Sequence, residues 1–216
     1  MTSHATPRSC PLAVVTCGPA FEPLDRVRRI SNFSTGEIGS ILSRALLVAG
    51  CEVICFRGEG ATFPVPSGVE VHPFSTNTSL ASAIKSLPHE PTLIFHAAAL
   101  CDFEVAGIEG ASGERKLSSR SGELIVRLRP AEKILPHFRE WFPGARIIGW
   151  KYELDGTRAD VLEKAASQLS EARSDACVIN GSAYGQGFGI VRPGAPIVEC
   201  HNKEELAAAL VAHFVR

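Results

Sequence analysis

A run of hydroxyl-bearing residues and glycine, Ile30-Ser31-Asn32-Phe33-Ser34-Thr35-Gly36, stands directly before the sequence of an amphipathic helix. Hydroxyls and backbone N–H groups at a helix N-terminus bind anions, because the helix dipole places positive charge there. The segment lacks the Gly-x-Gly-x-x-Gly of dinucleotide-binding turns and the Gly-Lys-Ser/Thr of P-loops, and it keeps only the pair Gly36 and Gly39. It predicts a phosphate site, with a Ser N-cap and packing glycines as the alternative.

Lys116 stands in a Gly- and Ser-rich stretch, residues 104–122, which has no apolar period and is predicted to be a long loop. A lysine on such a loop can reach a polyphosphate, while the alternative is an ordinary solvated lysine. Arg127 and Arg129 follow this stretch. Strand alternation would place both on one face, as solvated or interface residues.

Small residues follow the apolar run at 92–96, in the sequence Ala97-Ala98-Ala99-Leu100-Cys101-Asp102-Phe103. Small side chains let a ligand approach the backbone, and Asp102 could accept from a ribose hydroxyl or help to hold Mg²⁺. A helix N-cap is the alternative role for Asp102. His96 ends an apolar strand and fits a core histidine better than a base. Polar segments also follow two later strands, at 150–153 and 180–182.

The elements that must position these residues alternate between strands and helices. Short apolar runs alternate with stripes at helical spacing. We predict strands at 12–17, 52–56, 69–71, 92–96, 123–128, 146–150, 176–179 and 197–199, and helices at 37–49, 78–87, 131–142 and 160–173, with a terminal helix capped by Asn202. This order predicts one three-layer, Rossmann-like α/β domain over residues 11–216 with a mostly parallel sheet, after a loose tail at residues 1–10. Ligands bind such sheets beyond the carboxyl ends of the strands, which points to loops 18–36, 97–122, 150–156 and 180–189.

Composition argues against several classes of protein. The 22 Lys and Arg residues against 23 Asp and Glu give a formal charge of −1, which disfavours nucleic acid as the main partner. No apolar run approaches the roughly 18 residues of a membrane span, and the N-terminus has no signal-peptide core. Seven scattered cysteines without a Cys-x-x-Cys pair fit free thiols in a reducing cytoplasm better than disulfides or zinc.

Taken in order, these segments resemble phosphopantothenoylcysteine synthetase, the ligase family of coenzyme A biosynthesis. The likeness runs from about residue 12 to residue 190. The matching motifs are Val15-Thr16-Cys17-Gly18, Glu22-Pro23-Leu24-Asp25, Val27-Arg28, Asn32-Phe33-Ser34-Thr35-Gly36-Glu37-Ile38-Gly39, Ala97 to Phe103, Lys116-Leu117, Gly149-Trp150-Lys151-Tyr152-Glu153 and Asp175 to Asn180.

The resemblance implies a ligase that joins 4′-phosphopantothenate to L-cysteine through an acyl-nucleotide, with CTP or ATP as co-substrate and Mg²⁺. The implied catalytic residues are Asn32, which would hold the acyl carbonyl and its oxyanion, and Lys116, which would neutralise the phosphates. Nucleotide binding would fall to Gly18, Ser34, Thr35, Gly36, Gly39, Ala98, Ala99, Asp102, Lys133 and Trp150. Arg28, Asn32 and Asn180 would bind the acid substrate, and Asp102 the metal. The family also implies a homodimer.

Some features depart from the bacterial pattern of that family. No flavin-dependent decarboxylase domain is fused to the sequence, so a stand-alone form is expected. Lys133 and the Lys-Leu-Ser-Ser at 116–119 look more like the eukaryotic type, which can use ATP, than the fused type, which prefers CTP, so the nucleotide stays open.

Two further departures keep other functions in view. Gly18-Pro19-Ala20 replaces Gly-Gly-Thr, and the helix at 160–173 offers only Lys164 and Arg173 in place of a Lys-x-x-x-Lys. The alternatives are a ligase for another acid and amine, or a non-catalytic nucleotide-binding subunit. A Rossmann oxidoreductase is disfavoured, since its glycine fingerprint and Tyr-x-x-x-Lys are both absent.

Overall fold

The computed structural model describes residues 10–109, 116–117 and 122–215. The strands within these ranges are β1 (Leu12–Cys17), β2 (Phe21–Pro23), β3 (Arg29–Ser31), β4 (Glu52–Gly58), β5 (Glu70–Phe74), β6 (Leu93–His96), β7 (Phe103–Ile108), β8 (Val126–Pro130), β9 (Arg146–Tyr152), β10 (Ala176–Asn180), β11 (Phe188–Val191) and β12 (Val198–Cys200). The helices are α1 (Glu37–Val48), α2 (Asn77–Lys85), α3 (Phe138–Trp141), α4 (Arg158–Ala172) and α5 (Lys203–Phe214), with a 3-10 turn at Leu135–His137 before α3.

Eight strands form the central sheet, in the order β12-β11-β10-β9-β6-β1-β4-β5. The six strands from β10 to β5 in that order are parallel, while β11 pairs antiparallel with both β10 and β12. β1 lies inside the sheet and is buried from its second residue onward. Its unbroken apolar sequence follows from that position, because both faces of such a strand are covered.

Helices cover both faces of this sheet, which gives three layers. On one face, α1 and α5 pack over a core that includes Val15, Leu46 and Ile148. On the other face, α2, α3 and α4 cover the alternate strand residues, among them Ile94 and Ile147. The predicted Rossmann-like α/β fold with a mostly parallel sheet is confirmed. In the described ranges, no helix is both long enough and apolar enough to cross a membrane.

The stretch at 104–122 differs from the sequence prediction of a loop. It begins within β7, which pairs antiparallel with β8 to form a separate two-stranded ribbon. The alternation in β7 is short and is broken by an irregularity between Val105 and Gly107, so the sequence shows no sustained period. Residues 110–115 and 118–121 lie outside the described part of the chain, as do residues 1–9 of the predicted tail.

Three other elements also differ from expectation. The predicted helix at 131–142 is reduced to a 3-10 turn and the four residues of α3. Pro136 has no N–H to donate and its ring clashes with the carbonyl four residues earlier, so it is tolerated in the first turn and not inside a longer helix. The predicted loop at 18–36 contains a hairpin of β2 and β3. β11 was not expected. Strands of three or four residues are too short to establish a period that sequence reading can detect.

Candidate functional site

The loops that follow β1 and β6 are joined by backbone hydrogen bonds at the carboxyl edge of the sheet. The N–H of Ala99 donates to the carbonyl of Gly18 at 2.9 Å, and the N–H of Ala20 donates back to the carbonyl of Ala99 at 3.0 Å. The N–H of Ala98 reaches the hydroxyl of Thr16 at 3.3 Å. These loops were predicted to carry the chemistry, and the structure brings them together.

The N-terminus of α1 lies against this edge. Its N-cap is Gly36, in the left-handed conformation with φ 78°, and no side chain caps it. The alternative prediction of a Ser N-cap is therefore wrong. Gly36 packs 3.1 Å from the Cβ of Ala61, measured from the position that a Cβ of its own would take. Within the described residues, the N–H groups of Ile38 and Gly39 have no acceptor, so they remain able to bind an anion.

The loop after β4 supports the start of α1, although we predicted no role for this loop from the sequence. The carbonyl of Thr35 accepts from the N–H groups of Thr62 and Phe63 at 3.1 and 3.0 Å. Arg57 ties the same loop down by donating to the carbonyls of Ala61 and Phe63. An arginine at the end of a buried strand was the only sequence signal for this role.

Asn32 spans the gap between the hairpin and the loop after β6. Its amide nitrogen donates to the carbonyl of Leu100 at 2.8 Å and, more weakly, to that of Ala99 at 3.3 Å. The side-chain oxygen has no donor among the described residues. Asn32 thus stands at the predicted site, but in this arrangement it presents an acceptor, because both amide protons are engaged.

Lys116 is exposed, and the residue after it is anchored to the hairpin. Asp25 lies in the turn between β2 and β3 and accepts the N–H of Leu117 at 3.0 Å. Arg28 donates to the carbonyl of Leu117 and pairs with Asp25 at 2.8 Å. Arg28 was predicted to bind substrate, and two of its guanidinium nitrogens make these protein contacts instead.

The carboxyl of Asp25 is ionised over the working pH range. Burial raises its pKa, but the backbone donors of Leu117, Val27 and Arg28 together with the Arg28 guanidinium outweigh that effect and lower the pKa to about 2. The motif containing Asp25 was recognised in the sequence, but no role was assigned to it. No local pattern signals a partner 92 residues away.

Asp102 and Lys133, both predicted to meet the nucleotide, form an exposed ion pair with each other. The alternative of a helix N-cap at Asp102 is wrong, because β7 follows it directly. Among the described residues, no three His, Cys, Asp or Glu side chains lie close enough together to hold a metal. Asp102 would therefore supply a single carboxylate, which suits Mg²⁺ bound largely through substrate phosphates and water.

His96 is buried and takes no part in the exposed edge. Its Nδ1 lies 2.8 Å from the hydroxyl of Thr16, and burial lowers its pKa to about 4. The ring is therefore neutral at physiological pH, as expected of a core histidine.

Trp150 and Asn180 lie near the ends of the neighbouring strands β9 and β10. Trp150 is half-buried against the core beneath α1 and α5, so only part of its ring is open to a nucleotide. Asn180 accepts the N–H of Glu153 through its carbonyl at 3.0 Å. The hydrogen bond from Lys164 is the main reason that the pKa of Glu153 is lowered. Lys164 is thus paired with protein.

A family model, the C-terminal domain of DNA/pantothenate metabolism flavoprotein, matches residues 11–213. The chain belongs to this family. Membership confirms the resemblance to phosphopantothenoylcysteine synthetases that the ordered motifs indicated.

Curated relatives of this family are longer than the chain. It is 30% identical over 185 residues to the coenzyme A biosynthesis bifunctional protein CoaBC of Mycolicibacterium smegmatis, covering 82% of the chain and 43% of the relative. The CoaBC of Mycobacterium tuberculosis is 32% identical over 189 residues, with shares of 81% and 43%. The chain therefore spans under half the length of these relatives.

Solved structures in the family share the fold. The DNA/pantothenate metabolism flavoprotein from Streptococcus pneumoniae superposes with a TM-score of 0.82 at 23% identity, covering 95% of this chain and 98% of that one. A mutant of Cab2 in complex with phosphopantothenate-cysteine has a TM-score of 0.76 at 22% identity, with coverage of 94% and 86%.

Pro19, which replaces the second glycine of the family's Gly-Gly-Thr, fits the structure without strain. The ring of Pro19 faces Gly60, where a Cβ would approach it to 3.0 Å, and a Cβ on Gly58 would lie 2.3 Å from the carbonyl oxygen of Pro19. The glycines of the neighbouring loop thus leave room for the Pro19 backbone and ring.

Proposed function

We propose that this chain is a ligase of coenzyme A biosynthesis, joining the carboxylate of 4′-phosphopantothenate to the amine of L-cysteine through an acyl-nucleotide. The proposal rests on one juxtaposition. The uncapped N-terminus of α1, the amide of Asn32 and the anchored segment of Lys116 all belong to the loops and hairpin at one edge of the sheet. Family membership and the ordered motifs support the same assignment.

In the first step, a carboxylate oxygen of the acid attacks the α-phosphorus of CTP or ATP, and the bond to the bridging oxygen of pyrophosphate breaks. Both reactants are anions, so catalysis requires charge neutralisation more than a base. Ser34, Thr35 and Gly36 would hold phosphate at the helix start. Gly18 and Gly39 would contribute through their backbone, because a Cβ on Gly18 would meet Ala61 and one on Gly39 would meet Cys17, so both allow the site to pack closely. Lys116 would bring its ammonium to the leaving pyrophosphate. Asp102 would hold Mg²⁺, whose charge, when bound, lowers the repulsion between the phosphates.

In the second step, the neutral amine of cysteine attacks the acyl carbon and the bond from that carbon to the phosphate oxygen breaks. The nucleoside monophosphate leaves with this oxygen, and the proton lost from the amine passes to it or to water. Asn32 can contact both the incoming amine and the developing oxyanion. Its free oxygen can accept an N–H from the incoming amine. Its contact to the Ala99 carbonyl, at 3.3 Å, is weak, so a rotation of the whole amide about χ2 that gives up this contact would direct an N–H to the developing oxyanion at little cost.

The remaining predicted residues have supporting roles in this proposal. Ala98, Ala99, Lys133 and Trp150 would contact the nucleotide, whose base stays open between cytosine and adenine. Arg28 and Asn180 would bind the acid, Arg28 through the guanidinium nitrogen that the hairpin contacts leave available.

A homodimer in the cytoplasm is part of the proposal. Three cross-strand pairs form one apolar face of the β7–β8 ribbon: Phe103 with Pro130, Val105 with Leu128 and Ile108 with Val126. Phe103 is 53% exposed and Leu128 is 46% exposed, whereas the opposite face carries the ion pairs of Arg127 and Arg129. An exposed apolar face of this kind favours burial, and a second copy can supply a matching one.

The test is pyrophosphate release by the purified chain with Mg²⁺, 4′-phosphopantothenate and cysteine, with CTP and ATP in parallel and each component omitted in turn. We expect release that requires the nucleotide and the acid, and a product with the mass of phosphopantothenoylcysteine when cysteine is present. Release with another acid or amine alone would indicate the paralogous ligase. Nucleotide binding without release would indicate the non-catalytic subunit.

A further inference from the structure

Asp25 is a nearly inaccessible carboxylate, 1% exposed, to which four hydrogen-bond donors converge. Oδ1 accepts the N–H groups of Val27 and Arg28 at 2.8 and 2.7 Å, which fixes the hairpin turn. Oδ2 accepts the Arg28 side chain and the N–H of Leu117, each at 3.0 Å. One carboxylate therefore joins the turn to a segment distant in the chain.

Leu117 is held at both of its peptide groups. Its N–H donates to Asp25, its carbonyl accepts from Arg28, and its side chain is only 7% exposed. Lys116 immediately precedes it and is exposed. The fixed residue therefore determines where the backbone of Lys116 lies, while the ammonium keeps its freedom to reach outward.

The same hairpin also carries Asn32. β3 ends at Ser31, whose hydroxyl donates to the carbonyl of Ala20 at 3.0 Å, and Asn32 follows directly with its hydrogen bonds to the loop after β6. The hairpin thus connects the two residues assigned to catalysis. A carboxylate is needed at its turn, since an amide in its place has only one oxygen for four donors.

We propose that Asp25 is a positioning residue, which holds Lys116 in register with Asn32 by clamping the peptide groups of Leu117 onto the β2–β3 turn. This inference rests on the proposed function for the role of Lys116. The advantage of the clamp is that the backbone of Lys116 and Leu117 is held in place before substrate binds, so the transition state does not bear the entropy cost of placing it.

The first experiment measures steady-state pyrophosphate release by Asp25→Asn. We expect kcat to fall at least about tenfold while the KM for nucleotide changes less than about threefold, because a displacement on the order of 1 Å affects rate more than binding. Asp160→Asn is the matched control. Asp160 is a carboxylate that caps α4 through bonds from Thr157, and its substitution should lower thermal stability and leave kcat unchanged.

A second pair of variants keeps the test decisive even where Asp25→Asn folds poorly. Leu117→Pro removes the N–H that donates to Asp25, while Leu117→Ala removes a similar amount of side-chain packing and keeps that N–H. We expect kcat of Leu117→Pro to lie at least about fivefold below that of Leu117→Ala, since only the former loses the clamp. Equal rates in the two variants would overturn the proposal.

Tryptic cleavage of the Lys116–Leu117 bond tests the clamp without any enzyme activity. Under native conditions, Asp25→Asn should be cut at this bond several-fold faster than the parent, and Asp160→Asn at the parental rate. If the parent released no pyrophosphate, the proposed function would fail and this comparison would still show whether the clamp exists. If the parent were active and Asp25→Asn kept both its kcat and its cleavage rate, the positioning role would be refuted and the proposed function would stand.

Discussion

Gly39→Ala tests whether the start of α1 is as close to β1 as the proposed phosphate site requires. A Cβ on Gly39 would lie 2.2 Å from the Cβ of Cys17, 3.0 Å from its sulfur and 3.3 Å from a methyl of Val15. Carbon atoms in contact prefer about 3.5–4.0 Å, so the helix start must move away by roughly 1.5 Å. Both neighbours are in a buried strand and cannot move aside.

Such overpacking costs about 1–3 kcal/mol. For a chain of this size, that predicts a fall in Tm of roughly 3–10 °C. The matched control is Gly144→Ala, since a Cβ there meets nothing within 4 Å. It should leave stability unchanged or raise it slightly. Differential scanning calorimetry of both variants measures these changes.

If the phosphates bind where we propose, the displacement should also weaken nucleotide binding by about tenfold or more, because the free N–H groups at the start of α1 move with the helix. Isothermal titration calorimetry with CTP and ATP, below the lowered Tm, provides the readout. An unchanged Tm would refute the close packing. A lowered Tm with parental nucleotide affinity would refute the assignment of the phosphates to this helix.

Four further outcomes are expected. Asn32→Asp should bind nucleotide with parental affinity and form no detectable phosphopantothenoylcysteine by mass spectrometry, whereas parental turnover would remove Asn32 from the mechanism. Lys116→Ala should release pyrophosphate at least about 100-fold more slowly, because the loss of one charge contact in the transition state costs about 3 kcal/mol. An unchanged rate of pyrophosphate release would exclude that role. The pKa of His96 is about 4 in the folded protein against 6.5 for the free side chain. The unfolded chain therefore binds this proton first as the pH falls, so the free energy of unfolding is highest above pH 6.5 and drops by roughly 3 kcal/mol as the pH approaches 4. NMR should show a ring that does not titrate between pH 5 and 8. Leu128→Lys should convert the proposed dimer to monomer in sedimentation analysis, and a monomeric parent would contradict the ribbon interface.

The parallel strands of this fold were predictable because they are buried on both faces. Apolar runs such as the one at 12–17 allow no solvent-exposed alternative, and the helices between them carry regular stripes. One strand of the ribbon, β8, overlaps the strand predicted at 123–128, whereas β7 and the β2–β3 hairpin were missed for the converse reason. β2 and β3 have three residues each, and no residue of β7 is fully buried, so the pattern of burial that would reveal these strands is weak in the sequence.

The candidate site also has parts that were predictable from the sequence and parts that were not. The helix start at Gly36 was predictable from residue types within a few positions of one another. The contact of Asp25 with Leu117 and the support of Thr35 by the loop after Arg57 depend on segments that meet only in the folded chain. Such contacts follow from the topology, and no local spacing encodes them.

The order of strands in the sheet has a consequence for synthesis of the chain. Of the strands in the central sheet, the four made first, β1, β4, β5 and β6, are contiguous, and β9, β10, β11 and β12 then add at one side in the order in which they leave the ribosome. Folding can therefore proceed in one direction while translation continues. Until β9 arrives, β6, with the sequence Leu-Ile-Phe-His, is an uncovered apolar edge. This is the stage at which the nascent chain is most exposed to misassociation and to chaperone capture.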